Sequence, residues 1–194
     1  MSAYTTQNDL LLKNLISFYN KDNNLNKMLK VVTGESKVSL RIVDWFVTNY
    51  AKKYYTVYSI NEISLVDNSP TERRFKVYTD YKLKLKAYSK RRFDPFCRWE
   101  RINIPYKTNS SIQTTIGQLN FFKWIIDNNV IEHIETNYET IESDMNNRNS
   151  TSKKRDKKDS HADGNKTRKK REELSISATK SIKTEDVEIV VKFN

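Results

Sequence analysis

The stretch that most constrains the fold runs from Phe75 to Tyr88, where apolar and polar residues alternate almost one by one. Successive side chains of a β-strand point to opposite faces, so this alternation predicts a long, half-buried strand. Its polar face carries the lysines of the stretch, Lys76, Lys82, Lys84 and Lys86. From Arg73 to Arg101, eleven lysines and arginines stand against three acids, a net charge of +8. The sequence therefore predicts a cationic sheet face rimmed with aromatic side chains, which favours a polyanion as ligand.

Composition excludes several classes of protein. The 194 residues suffice for one domain and a tail, and the net charge of +11 favours nucleic acid or an anionic surface as partner. Three glycines and one cysteine argue against glycine-rich phosphate loops, disulfide frameworks and multi-cysteine zinc sites. The N-terminal residues lack the pattern of a signal peptide, and no apolar run approaches the roughly 20 residues of a membrane span. We expect a soluble intracellular protein that does not bind membranes.

The periodicity of the first 146 residues predicts an α+β domain with a small antiparallel sheet backed by helices. Residues 38–54 fit either a helix or a strand buried on both faces, and their length favours a helix. The strands that we expect to form the sheet are 54–60, 75–88 and 101–106. Thr115 and Gln118 have the spacing of a capping box, which predicts that a helix begins there after a loop over 107–114.

A change in composition marks the end of the predicted domain, 1–146. Between Asn146 and Arg171 no aromatic or branched apolar residue occurs, while eleven lysines and arginines accompany three aspartates. Such a segment cannot bury enough apolar surface to offset its ordering entropy, so we expect a disordered basic tail over 147–186. Residues 187–194 turn apolar and alternate again. Two interpretations remain open for them, a strand added to a sheet edge and a frayed terminus.

The two basic regions supply the candidate nucleic-acid-binding residues. Phosphate-binding channels combine such cations with aromatic side chains that stack on bases, and the candidates for stacking are Tyr78, Tyr88, Phe93, Phe96 and Trp99. The alternative is a solvated surface that only keeps the sheet soluble. The candidate cations are Lys82, Lys84, Lys86, Lys90, Arg91, Arg92, Arg98, Arg101, Lys153, Lys154, Arg155, Lys166, Arg168, Lys169, Lys170 and Arg171.

The remaining reactive side chains do not form a catalytic pattern. Asp94 and Glu100 lie beside several arginines, so we expect lowered pKa values and structural salt bridges rather than acid–base catalysis. His133 and His161 are far apart, and Cys97 has no neighbour at ligand spacing. We therefore predict no catalytic residue, no metal and no cofactor, and we expect Cys97 to be a small buried residue.

Three stretches resemble an uncharacterised protein family of nucleocytoplasmic large DNA viruses, the relatives of mimiviruses, iridoviruses and phycodnaviruses. They are DWFVTNY at 44–50, LKAYSKRRFDPFCR at 85–98 and TTIGQLNFFKW at 114–124. The resemblance extends over about residues 36–145 and implies no activity, cofactor or site residue. The family has a second basic residue after the position of Arg98, where this chain has Trp99.

These observations lead us to expect a non-enzymatic viral protein that binds nucleic acid without sequence preference. It would act in the virion, the nucleoid or the viral factory. The alternative is an adaptor that binds a viral protein. In that case the basic tail would be only a solubility segment or a nuclear import signal, for which Lys154-Arg155 and 166–170 have a bipartite spacing.

Overall fold

The computed structural model describes residues 6–63, 70–106, 110–158 and 183–186, and the chain is α+β, as predicted. The helices are α1 (Gln7–Tyr19), α2 (Asn24–Thr33), α3 (Leu40–Trp45), α4 (Ala51–Lys53), α5 (Val77–Arg92), α6 (Ile116–Asp127), α7 (Val130–Thr136) and α8 (Tyr138–Lys158). The strands are β1 (Val57–Ile63), β2 (Pro70–Lys76), β3 (Arg101–Tyr106), β4 (Ser110–Thr115) and β5 (Lys183–Asp186). None of the helices in this described part combines the length and apolar character that a bilayer crossing requires.

The described strands form two small antiparallel sheets. β1 pairs with β2, with Val57 opposite Lys76. The second sheet has the order β3-β4-β5, which places Pro105 on an edge strand, the position in a sheet where proline is tolerated. The predicted third strand at 101–106 is therefore confirmed. The loop predicted over 107–114 is wrong in its second half, because residues from Ser110 onward form β4.

The long basic strand predicted from 75 to 88 is also wrong. β2 ends at Lys76, and Val77 begins α5. The alternation that suggested a strand also contains a helical spacing, since Val77, Tyr81 and Tyr88 recur on one side of a 3.6-residue helix. Val77 is buried, and the two tyrosines pack against the core. Leucine, lysine and alanine, which make up much of the stretch, are strong helix formers.

α6 is the central element of the core. Nine of its twelve residues are buried, which is the pattern of a helix covered on every side. The Thr115 hydroxyl accepts a hydrogen bond from the Gln118 N–H at 3.1 Å, so the predicted helix start is confirmed. Phe93 packs edge-on against Trp124 with ring centroids 5.7 Å apart, and the Tyr19 hydroxyl donates to the Leu119 carbonyl at 2.6 Å. The end of α5, through Phe93, and α1, through Tyr19, are thus both in contact with α6.

Residues 38–54 are helical over most of their length, as predicted. A π-helical turn, Phe46–Tyr50, joins α3 to α4, so that 40–53 form one continuous helix. Phe46 and Val47 are buried in this turn. π-helical turns are rare and occur mostly as single turns of this kind inside α-helices.

The structure describes two parts of the chain after residue 146. α8 continues past residue 146 to Lys158, and residues 183–186 pair with β4, with Ile112 opposite Thr184. Extending an existing helix adds a hydrogen bond per residue without a new nucleation cost, so polar residues continue α8 beyond the predicted boundary. Residues 159–182 of the predicted tail and the segment 187–194 lie outside the described residues.

Candidate nucleic-acid interface

The lysines of α5 lie on two sides of the helix rather than on one face. With 100° between successive residues, Lys82 and Lys86 share the outer side, and Lys84 projects roughly in the opposite direction. The surface agrees with this geometry. Lys82 and Lys86 line a depression with Leu83, whereas Lys84 lines a cleft with Trp124 of α6. The predicted grouping of the three lysines is therefore wrong, because it assumed the two-residue period of a strand.

The outer side of α5 borders a continuous groove, which we call the lysine–tyrosine groove. It consists of two adjoining cavities of ≈ 550 and ≈ 500 Å³ that share Tyr78 and Thr79. Its cations and aromatic residues are Lys52, Tyr55, Lys76, Tyr78, Lys82 and Lys86. None of the described residues that line the groove is acidic. Its four positive charges are therefore not offset within the groove, and it attracts anions.

Three elements bring the groove together. Lys52 is in α4, Tyr55 follows that helix, and Lys76 ends β2. The Val77 N–H donates to the Thr56 carbonyl at 3.3 Å, which joins the start of α5 to the segment after α4. The Lys52 ammonium lies 5.7 Å from the centre of the Tyr78 ring, a cation–π arrangement. α5 starts without a side-chain cap, and its first turn contains Asp80, which offsets the positive end of the helix dipole.

The positive charge of the cleft on the opposite side of α5 is partly balanced, since three cationic and two acidic side chains line it. The cleft has a volume of ≈ 560 Å³ and contains Arg73, Lys84 and Lys123 together with Asp80 and Asp127. The Asp80 carboxylate accepts a hydrogen bond from the Trp124 indole N–H at 2.6 Å. Lys123 forms an ion pair with Asp127 one helical turn away. Because its acids offset part of its positive charge, this cleft attracts a polyanion less than the groove does.

A second basic surface, the basic corner, lies at the C-terminal end of α5 and is formed by Lys90, Arg91, Arg98 and Trp99. The chain leaves the helix at Ser89, whose φ of 60° breaks the α-helical geometry before a last turn. The corner surrounds a cavity of ≈ 550 Å³ that Asp94 also lines, and the Trp99 side chain is 71% exposed. Arg91 forms an ion pair with Glu100, which confirms the structural salt bridge predicted for that carboxylate.

The other predicted site residues are dispersed. The Arg92 guanidinium donates to the Gln7 side-chain oxygen at 3.1 Å, and that of Arg101 donates to the Gln113 side chain at 2.7 Å on the sheet. The backbone of α8 contains Lys153, Lys154 and Arg155. The cations outside the described residues are Lys166, Arg168, Lys169, Lys170 and Arg171. The structure therefore brings Lys82 together with Lys86, and Lys90 with Arg91 and Arg98.

The aromatic candidates also separate by exposure. Phe93 is only 1% exposed and belongs to the core, where it stacks against Tyr88. Trp99 in the corner and Tyr78 in the groove remain accessible to a ligand. Sequence reasoning missed Tyr55, which is 86% exposed, together with Lys52. The run Lys52-Lys53-Tyr54-Tyr55 was a usable signal, because it places two cations beside two aromatic residues.

Asp94 has the predicted turn hydrogen bond, but its pKa shifts in the direction opposite to the prediction. Its Oδ1 accepts a hydrogen bond from the Phe96 N–H at 2.8 Å, as in a local turn. Burial nevertheless raises the pKa of Asp94, opposite to the predicted lowering, because desolvation outweighs this hydrogen bond and the attraction of Lys90. Burial likewise raises the pKa of Asp44 to about 6, with the negative charge of Asp94 adding to the effect and Lys90 opposing it.

Histidine and cysteine have structural positions. The His133 ring stacks on Tyr58 with centroids 4.3 Å apart, and burial lowers its pKa. Cys97 is buried, as predicted, and its thiol lies 3.5 Å from the Arg91 carbonyl oxygen. Within the described ranges, no three side chains of the metal-binding types come close enough together to hold an ion.

Comparison with known proteins shows the family. The model of a family of unknown function, DUF7197, matches residues 3–192. The chain belongs to this family. "Uncharacterized protein L507" of Acanthamoeba polyphaga mimivirus is 42% identical to it over 136 residues, which cover 68% of this chain and 49% of that protein. The chain thus spans about half the length of the curated relative it matches, and no solved structure matches it.

This result confirms the resemblance to a giant-virus family and extends it beyond residues 36–145 at both ends. The second and third of the stretches that carry the resemblance meet in space at the basic corner. The Asp94 N–H donates to the Gly117 carbonyl at 3.2 Å, which joins them. The charges of Asp94 and Lys90 in the second stretch also act on the Asp44 carboxyl in the first.

Proposed function

We propose that this member of the DUF7197 family is a non-enzymatic, nucleic-acid-associated viral protein that binds the phosphate backbone without sequence preference. It would serve as a component of the virion, the nucleoid or the viral factory. The observation that carries the proposal is the lysine–tyrosine groove, in which four lysines and two tyrosines lie together without an acid among the described lining residues. Nucleic-acid channels use this combination of cations and aromatic rings.

The magnitude of the electrostatic contribution follows from the number of cations. Each neutralised phosphate of a single strand adds about 0.7 to the slope of log affinity against log salt, so four lysines contribute up to about 2.8. Between 50 and 200 mM salt, that slope corresponds to about a 50-fold loss of affinity. The basic corner, with Lys90, Arg91 and Arg98, provides further phosphate contacts. The net charge of +11 accelerates the encounter with a polyanion.

The test is binding of labelled DNA and RNA oligonucleotides to the full chain, measured by fluorescence anisotropy. The variant replaces Lys52, Lys76, Lys82 and Lys86 by glutamine. We expect its affinity at moderate salt to fall at least about ten-fold, because four counterion-releasing contacts are removed.

A matched control separates the groove from total charge. Replacing Lys13, Lys21, Lys27 and Lys30 by glutamine removes the same charge from exposed positions in or next to α1 and α2. The proposal predicts a much smaller loss for this control. Equal losses would mean that net charge alone governs binding, and absence of binding by the unmodified chain at low salt would overturn the proposed function.

The second candidate is the protein adaptor, and one observation favours it. Leu83 is 60% exposed on the outer side of α5, between Lys82 and Lys86. An exposed leucine on a helix face suits a protein partner. An adaptor would show no salt-dependent binding of oligonucleotides. Instead, a pull-down from infected cells would recover a viral protein in complex with the unmodified chain, and Leu83→Ser would disrupt that complex.

A further inference from the structure

We propose that Tyr55 is a stacking platform for an unpaired base, so that the lysine–tyrosine groove binds single-stranded nucleic acid in preference to duplex. This inference rests on the proposed function and adds the class of nucleic acid. It is drawn from the backbone conformation of Tyr55, from the exposure of its ring and from the lysines on either side.

The backbone at Tyr55 has a conformation that glycine normally adopts. The Thr56 N–H donates to the Ala51 carbonyl at 3.2 Å, which closes the end of α4 as in a Schellman motif. This closure requires a left-handed residue at position 55, and Tyr55 has a φ of 49°. A Cβ is sterically unfavourable in this region, and a bulky side chain there is uncommon. The fold would therefore be at least as stable with glycine at this position.

Packing of the Tyr55 side chain does not offset the strain of its backbone. The side chain is 86% exposed, and it forms no hydrogen bond or ring contact with the rest of the described chain. Its neighbour Tyr54, by contrast, donates a hydrogen bond to the Asp144 carboxylate at 3.1 Å, and its ring packs at a tilt against that of Tyr50, with centroids 4.5 Å apart. An exposed aromatic ring on a strained backbone is a feature of binding sites.

The surroundings of the ring define the ligand. Lys52 and Lys76 line the same cavity as Tyr55, and Lys82 and Lys86 line the adjoining one. A base that stacks on Tyr55 would therefore have its neighbouring phosphates close to lysines. Bases within a duplex are already stacked on each other, whereas every unpaired base offers a free face to an aromatic ring. This arrangement matches a single strand in both charge and aromatic contact.

The experiment uses the full chain and two labelled probes of about 16 nucleotides, a mixed-sequence single strand and its blunt-ended duplex. We expect Tyr55→Gly to lower the affinity for the single strand about five-fold or more, since one stacked base is lost. Affinity for the duplex should change by less than about two-fold, because the lysines remain. Tyr55→Phe, which keeps the ring, should bind as the unmodified chain does.

Two measurements separate stacking from a structural role. The midpoint of thermal unfolding of Tyr55→Gly should be unchanged or higher, because glycine relieves the left-handed strain. The control is Asn129→Gly, which makes the same backbone change at a φ of 51° next to α7 and outside the groove. Its affinity for both probes should be unchanged.

Three results would overturn the inference. They are an equal loss of affinity for both probes in Tyr55→Gly, a lowered unfolding midpoint that accounts for the loss, and a Tyr55→Phe variant as weak as Tyr55→Gly. In the first case the proposed nucleic-acid binding stands and only the preference for single strands fails. If the unmodified chain binds neither probe at low salt, the proposed function fails with it, and an acidic protein segment becomes the occupant to test.

Discussion

Replacing Gly117 by alanine tests how the basic corner is held on α6. A Cβ at this position would lie 3.0 Å from the Arg91 carbonyl oxygen and 3.0 Å from both Cβ and Sγ of Cys97. Optimal contacts between non-bonded carbon atoms lie at about 3.5 to 4.0 Å. The Arg91 oxygen belongs to the backbone and cannot rotate away. An added methyl group must therefore push the corner away from the start of α6.

Two opposing contributions set the size of the effect. Overpacking a close contact costs about 1 to 3 kcal/mol. Alanine in place of glycine within a helix returns up to about 1 kcal/mol. We therefore expect Gly117→Ala to lower the free energy of unfolding by about 1 to 2 kcal/mol, or the unfolding midpoint by about 2 to 8 °C for a chain of this size.

The assay is thermal unfolding followed by circular dichroism, with a second substitution as a check. Cys97→Ala removes the Sγ that the new methyl group meets, so the double variant should be more stable than the sum of the single effects predicts, by about 0.5 kcal/mol or more. A rise in the unfolding midpoint of Gly117→Ala would refute the reasoning, because helix propensity would then be the only effect and the corner would not press on α6.

Two further predictions concern the core and its buried carboxylate. Phe93→Ala should lower the free energy of unfolding by about 3 to 5 kcal/mol in urea, because it leaves a cavity beside Trp124 and Phe121. A loss below about 1 kcal/mol would contradict this packing. The raised pKa of Asp44, about 6, means that the folded state favours its protonated form, so its contribution to stability is present below about pH 4 and is lost as pH rises through 6. Asp44→Asn should therefore increase stability at pH 8 and flatten the profile between pH 4 and 7, and an unchanged profile would refute the assignment.

The sequence predicts the parts of the fold that depend on local signals. α6 has a capping threonine and a long apolar run, and both its start and its type are predicted correctly. β4 was not predicted, because its sequence, Ser-Ser-Ile-Gln-Thr-Thr, contains one apolar residue and its composition is typical of a loop. Hydrogen bonding to β3 on one side and β5 on the other stabilises it, and this pairing is not visible in the strand's own composition.

α5 shows why the candidate site could be predicted only in part. Charge density correctly marks the segment as basic. The alternation from Lys82 to Lys86 suggests a period of two, but so short a window does not distinguish a strand from a helix. The period decides which lysines share a surface, so Lys84 was placed with the wrong neighbours. Lys52 and Tyr55 come from an earlier element, and only the packing of α4 against the start of α5 brings them into the groove.

The most direct test of the account is the salt dependence of single-strand binding by three forms of the full chain: unmodified, Lys82→Gln/Lys86→Gln, and Lys84→Gln. If the polyanion lies along the outer side of α5, the double variant should have a slope of log affinity against log salt that is shallower by about 1.4, and Lys84→Gln should have the slope of the unmodified chain within about 0.3. The assignment of the groove as the binding surface would be contradicted if Lys84→Gln lowered the slope as much per lysine as the double variant does. It would also be contradicted if neither variant changed the slope.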